Sequence, residues 1–150
     1  MNAEAGKQGK IVVGVDGSAS SLDAVRWAAR QAELTGAEID VVAAWALPVQ
    51  YPMGALYAEN FDPERDARQV VEGIVQTVRH EHPDLTVHTE VIEGHPAPTL
   101  IDASQGAELL VVGSRGHGAF VGMLLGSVSE HCVSHAQCPV GVVRHKRESS

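Results

Sequence analysis

Apolar residues fall along this chain in short continuous runs, separated by stretches with helical spacing. The first run, Ile11-Val12-Val13-Gly14-Val15, ends at Asp16-Gly17-Ser18 and reads as a buried strand entering a turn. Ser18 or Ser20 can cap the following helix, because a short hydroxyl accepts from the free amides of a first turn. Leu22, Val25, Ala29 and Ala32 recur at helical spacing up to Thr35-Gly36, where glycine tolerates a left-handed stop. Ile39 to Trp45 is a second buried run. Leu47 to Pro63 carries three prolines and no clear period, which predicts a long, functional or mobile loop. A second helix starts at Pro63 with Asp62 as its cap and runs to His82, burying Val70, Val71, Ile74, Val75 and Val78.

From Leu85 to Ile92 the pattern alternates. Leu85, Val87, Thr89 and Val91 share one face and His88, Glu90 and Ile92 the other, as in a strand near a sheet edge. A turn at 94–98 leads into a short helix ending near Gln105-Gly106. Leu109 to Val112 is a fourth buried strand, a glycine-rich loop spans 113–126, a helix covers about 127–136, and Pro139 to Val143 is a last strand. Gly36-Ala37-Glu38-Ile39 and Gly106-Ala107-Glu108-Leu109 echo each other where a helix stops and a buried strand begins. Five strands alternating with four helices predict an α/β fold, a parallel sheet covered on both faces. Ligands of such sheets sit beyond the carboxyl ends of the strands, where the strand order reverses.

Composition narrows the function classes. With 150 residues and 44% apolar content the chain suits one domain with a real core, which argues against disorder. A formal charge of −8 argues against nonspecific nucleic-acid binding, but not against an anion site built from backbone amides. The longest unbroken apolar run, Val41 to Leu47, is far short of the roughly 20 residues a membrane span needs. Cys132 and Cys138 form no C-x-x-C pair, so the expectation is a reduced, cytoplasmic protein with inert thiols. Residues 1–9 and 145–150 are expected to be flexible ends around a single domain at 10–144.

The loop after the fourth strand carries the chemistry. Five glycines fall within the fourteen residues from Gly113 to Gly126, and Gly126-Ser127-Val128-Ser129 opens a helix. Bare backbone and free helix-start amides, with two hydroxyls, make a cradle for phosphate oxygens, to which Arg115 and His117 can add donors. The alternative is structural: Gly118, Gly122 and Gly126 are four apart, a helix-packing spacing. No G-x-x-x-x-G-K-[ST] occurs, and no lysine lies between residues 11 and 145. Asp16, after the first strand, suits a ribose hydroxyl or a cation better than a pyrophosphate, or else serves only the turn.

Taken together, these residues resemble the universal stress protein family. The resemblance rests on Gly113-x2-Gly116-x9-Gly126-Ser127, on Ile-Val-Val-Gly-Val-Asp-Gly-Ser at 11–18, on Leu-Leu-Val-Val-Gly-Ser-Arg-Gly at 109–116, on Leu-Leu-Gly-Ser-Val-Ser at 124–129 and on Cys-Pro-Val-Gly-Val-Val at 138–143. It implies a Rossmann-like three-layer α/β/α sandwich with a five-stranded parallel sheet in the order 3-2-1-4-5, from the ATP-binding branch of the family. By the same resemblance, Gly14, Val15 and Asp16 lie near ribose and adenine, and the Ala44 backbone faces adenine. Val112, Gly113, Arg115 and Gly116 line ribose and phosphates, and Gly126, Ser127, Val128 and Ser129 hold the phosphates. Arg115 stands where many members have histidine. The implied ligand is ATP or another adenine nucleotide, with Mg2+ or Mn2+ held by the phosphates. A homodimer is implied through the last strand, at Val140, Val142 and Val143.

Three function classes remain open: a nucleotide-binding stress or signalling protein with little or no turnover, a slow ATP hydrolase or nucleotidyl-transfer enzyme, and a nucleotide-independent interaction module. Enzymes of the pyrophosphatase-loop type carry Ser-Gly-Gly-x-Asp-Ser where this chain has Val-Asp-Gly-Ser, and no activated base is evident. His131, Cys132 and His135 are a minor metal candidate, and His80-Glu81-His82 reads as a solvated helix end. Gly113→Val or Gly126→Val is expected to abolish binding while sparing the fold, and the 47–63 segment to close over the ligand.

Overall fold

The computed structural model describes residues 9–47, 61–115 and 125–145. The expectations for both chain ends, for most of the 47–63 segment and for Gly116, His117, Gly118 and Gly122 lie outside the described residues. Nine elements alternate: β1 (Lys10–Gly14), α1 (Ala19–Thr35), β2 (Glu38–Trp45), α2 (Pro63–Glu81), β3 (Val87–Glu93), α3 (Pro96–Ala103), β4 (Leu109–Gly113), α4 (Ser127–His135) and β5 (Val140–Val143). The five strands form one parallel sheet in the order β3-β2-β1-β4-β5.

The element ends have local causes. Ser18 Oγ accepts from Ser21 N–H at 3.2 Å and caps α1, while Gly36 at φ 75° closes it with a bond to Ala32 O. Asp62 accepts from Arg65 N–H and caps α2, with Pro63 at its first position. The two echoed tetrapeptides perform one job twice. Gly36 and Gly106 both take left-handed φ, and Glu38 N–H and Glu108 N–H bond Gly9 O and Lys10 O from opposite sides of β1.

Each face of the sheet carries its own apolar cluster. Ile11, Val13, Ile39, Val41 and Val111 pack against Ala24, Val25, Ala28 and Ala29 of α1 and Val71, Ile74, Val75 and Val78 of α2. Val12, Val42, Leu110 and Val112 pack against Ala97 and Leu100 of α3 and Cys132 of α4. Burial on both faces is why the central strands read as continuous apolar runs. Small alanines let α1 approach closely, and each buried valine contributes about 2 kcal/mol of transfer free energy.

The structure departs from the simple pattern in three places. β3 begins at Val87 rather than Leu85, and Thr89 is exposed although it shares a face with Val87 and Val91. His82 is no solvated terminus. Its side chain is only 14% exposed, and Nδ1 lies 2.6 Å from Glu33 Oε1 of α1. Asp40 sits mid-strand in β2, 5% exposed, and its Oδ1 has no hydrogen-bond partner among the described residues. Burial, and then the Glu90 carboxylate, push the Asp40 carboxyl above its usual range.

Candidate functional site

The strand order reverses between β1 and β4, and a cleft of about 420 Å3 opens at their carboxyl ends. Gly14, Val15 and Asp16 line it from the β1 end, Val112, Gly113 and Arg115 from the β4 end, and Val128 from the first turn of α4. The fold therefore gathers seven of the residues named from sequence, from three separated segments, in one place. Ser21 of α1 and Pro96 and Leu100 of α3 complete the lining. Sequence reading missed these three. Only Pro96, at the start of a helix, carried any signal, and that signal was for chain direction rather than for a site.

Ala44 lies in an adjoining cavity of about 700 Å3, which shares Val15 and Asp16 with the first. Ala43, Trp45 and Ala46 line it from β2, and Pro63, Asp66, Ala67 and Val70 from α2. Asp16 is thus the hinge between two connected spaces. The first is bounded by the start of α4 and the Arg115 side of β4, the second by β2 and the first turns of α2, with Asp66 in its lining.

The turn that presents Asp16 is fixed by its own hydrogen bonds. Asp16 Oδ1 accepts from Ser18 N–H at 2.9 Å, and Gly17 takes φ 85°, a left-handed value that a side chain would disfavour. Asp16 N–H points to Ser21 Oγ at 3.4 Å, and Ser21 Oγ donates to Ser18 O at 3.0 Å. Asp16 is a turn aspartate and a cleft residue at once; its backbone role does not remove it from the site.

At the other end, Gly126 caps α4 with φ −72°, and its N–H bonds Ser114 O at 2.6 Å. Ser127 is exposed at the helix start. Ser129 differs from expectation. Its side chain is buried, and its hydroxyl donates to Ser114 O and Gly126 O, both at 3.0 Å. That hydroxyl braces the loop base, which leaves Ser129 its backbone amide as the group available to an anion. Gly116 lies outside the described residues.

Two glycines have a role other than ligand clearance. A Cβ on Gly113 would lie 2.5 Å from Ser20 Oγ and 2.8 Å from Ser20 carbonyl carbon in α1. A Cβ on Gly14 would lie 2.4 Å from Leu100 Cδ1 in α3. Their bareness lets helices on opposite faces close onto the strand ends. The expectation that Gly113→Val spares the fold is therefore corrected.

The rival constellations do not assemble. His131 and His135 have ring centroids 4.5 Å apart, but both are exposed while Cys132 faces the core. No group of three or more histidine, cysteine or acidic side chains suits a metal ion among the described residues. No helix among them is long and apolar enough to cross a membrane.

Comparison with known proteins agrees with the geometry. Residues 8–144 match the universal stress protein family. A universal stress protein of Mycolicibacterium smegmatis is 44% identical over 138 residues, covering 89% of this chain and 47% of the relative. The solved UspA of Lactobacillus plantarum superposes with a TM-score of 0.78 at 25% identity, covering 92% of this chain and 99% of that one. A universal stress protein solved in complex with cAMP gives a TM-score of 0.67 at 25% identity, covering 92% and 98%. A parallel sheet with a cleft at its order reversal defines the class, and the sequence match fixes the lineage: the chain belongs to the universal stress protein family. It spans about half the length of the curated relatives it matches.

Proposed function

We propose that this protein binds an adenine nucleotide, ATP in particular, in the cleft between the β1 and β4 ends, and acts as a nucleotide-dependent stress-response or signalling protein with little or no hydrolysis. One observation carries the reading: Asp16, the Arg115 side of β4 and the start of α4 converge on one cleft at the order reversal. The cAMP complex of a structural neighbour supports an adenine nucleotide as the ligand class. In this reading Asp16 accepts ribose hydroxyls, and adenine enters the cavity beside Ala44. Phosphates meet Arg115, Gly116 and the amides of Ser127, Val128 and Ser129, while Gly126, whose own N–H holds Ser114 O, sets the start of the helix.

Little turnover follows from the lining. Where the phosphates would lie, Asp16 and Arg115 are the only ionisable residues among the described lining residues, and Asp16 Oδ1 already accepts the Ser18 amide. Any Mg2+ or Mn2+ rides on the phosphates, since one protein carboxylate makes no cage. The free thiols of Cys132 and Cys138 suit a reducing cytoplasm. A homodimer pairs β5 with its copy through Val140, Val142 and Val143, because β5 is an edge strand. The test is calorimetric titration with ATP, ADP, AMP and cyclic AMP, each with and without Mg2+. Saturable binding of an adenine nucleotide supports the reading, and heats of dilution alone overturn it.

A further inference from the structure

β5 ends beside the cleft, and what leaves it is basic: Arg144-His145-Lys146-Arg147. Its register is fixed. Gly113 is level with Val143, and Ser114 N–H donates to Val143 O at 2.8 Å, so Arg144 follows directly alongside the entrance of the glycine-rich loop. Its side is fixed as well. Val140 and Val142 pack with the α3–α4 cluster, whereas Val143 packs with the α1 cluster and Gly141 faces Trp27 of α1. The alternation continues past the strand, because His145 Nδ1 meets Asp23 Oδ2 of α1 at 2.6 Å. Arg144 lies between two residues directed at α1 and so falls on the opposite side, that of α4.

That side is where α4 begins. Gly126 N–H is bonded to Ser114 O, which brings the first turn of α4 against the residue level with Arg144. Arg144 is exposed, and neither it nor Arg115 has a carboxylate partner among the described residues. In a chain of formal charge −8, Arg115 lines the cleft and Arg144 follows the strand paired beside it.

We propose that Arg144 is the specificity-determining contact for the distal phosphates, so that the site selects a nucleoside triphosphate over the monophosphate. The inference rests on the nucleotide reading above. Arg115 lines the cleft and serves the phosphate nearest the ribose. Arg144 stands outside the cleft lining, where only a longer phosphate chain reaches. A guanidinium offers paired donors to phosphate oxygens, and the His145–Asp23 contact holds the backbone that carries it.

The test compares ATP, ADP and AMP by calorimetry on the full chain, its Arg144→Gln variant and its Arg144→Lys variant, at two ionic strengths. Arg144→Gln is expected to weaken ATP about tenfold and ADP less, with AMP unchanged and with a smaller salt dependence for ATP. Arg144→Lys restores part of the ATP affinity, because the charge returns without the fork. Thermal melts identify any loss of fold, which the exposure of Arg144 makes unexpected. Equal losses for ATP and AMP in a folded Arg144→Gln protein, or no loss for ATP, overturn the proposal, while nucleotide binding by the parent chain still stands as evidence for the site. A parent chain that binds none of the three overturns the site itself.

Discussion

Gly113, the last residue of β4, lies directly beneath Ser20 of α1, close enough that one added methyl would sit 2.5 Å from the serine hydroxyl oxygen and 2.8 Å from its carbonyl carbon. Backbone cannot yield as a side chain can. The glycine of the phosphate-loop pattern is thus first a packing residue: it lets the helix that carries Ser18, Ser20 and Ser21 settle against the site.

Gly113→Val is therefore expected to destabilise the fold by about 3 kcal/mol, at the upper end of the usual cost of overpacking. Gly126→Ala behaves oppositely. At φ −72° its backbone needs no glycine, so the variant loses about 1 kcal/mol or less of capping while nucleotide affinity falls. Urea denaturation beside ligand titration separates the two. Equal unfolding midpoints for parent and Gly113→Val would show that α1 gives way.

Asp40 gives a pH-dependent prediction. Its folded-state carboxyl titrates above the usual value, from burial first and Glu90 second. The protonated form is then the one the fold prefers. No penalty exists below the unfolded-state pKa, and the full penalty is present once pH has risen through the folded-state value. Asp40→Asn should stabilise the protein by about 1 kcal/mol at pH 7, with the gain disappearing in acid as both proteins become neutral there. Chemical denaturation at a series of pH values measures it, and a pH-independent difference would contradict the assignment.

The cysteines should separate chemically. Burial, and then neighbouring Cys138, push the Cys132 thiol up to about 11, whereas Cys138 is only half-buried. At pH 8, iodoacetamide should label half-buried Cys138 roughly tenfold faster or more, because Cys132 is fully buried and held as the thiol and reacts only on unfolding. Peptide mass spectrometry over time reads both rates.

For the proposed dimer, the hydrogen bonds of β5 indicate which backbone groups are free. Leu110 N–H bonds Pro139 O and Ser114 N–H bonds Val143 O, so in a parallel pair residues 139, 141 and 143 face β4, while 140 and 142 face outward. Val142→Pro removes an outward donor without breaking the β4 ladder. Light scattering should find a dimer for the parent and a folded monomer for this variant.

The parallel sheet, its five strands and the helix caps at Ser18 and Asp62 were legible because each rests on local pattern: buried runs, helical spacing and short polar side chains before a first turn. Seven of the named site residues meet in the cleft for the same reason, since strand ends at an order reversal are dictated by topology. What stayed hidden depends on long-range contact. Nothing in the sequence shows that Ser129 turns its hydroxyl to the loop base, that His82 finds Glu33, or that Leu100 closes over Gly14. The alternation put Thr89 on the face of Val87 and Val91, but alternation assigns a face and not how far that face is covered.

The most direct measurement is a crystal structure of the chain grown with millimolar ATP. The account predicts phosphate density against the first turn of α4 and beside Arg115, ribose hydroxyls on Asp16, and the base in the cavity beside Ala44. Well-ordered crystals in which that cleft holds only water, or is filled by the protein's own side chains, would contradict it.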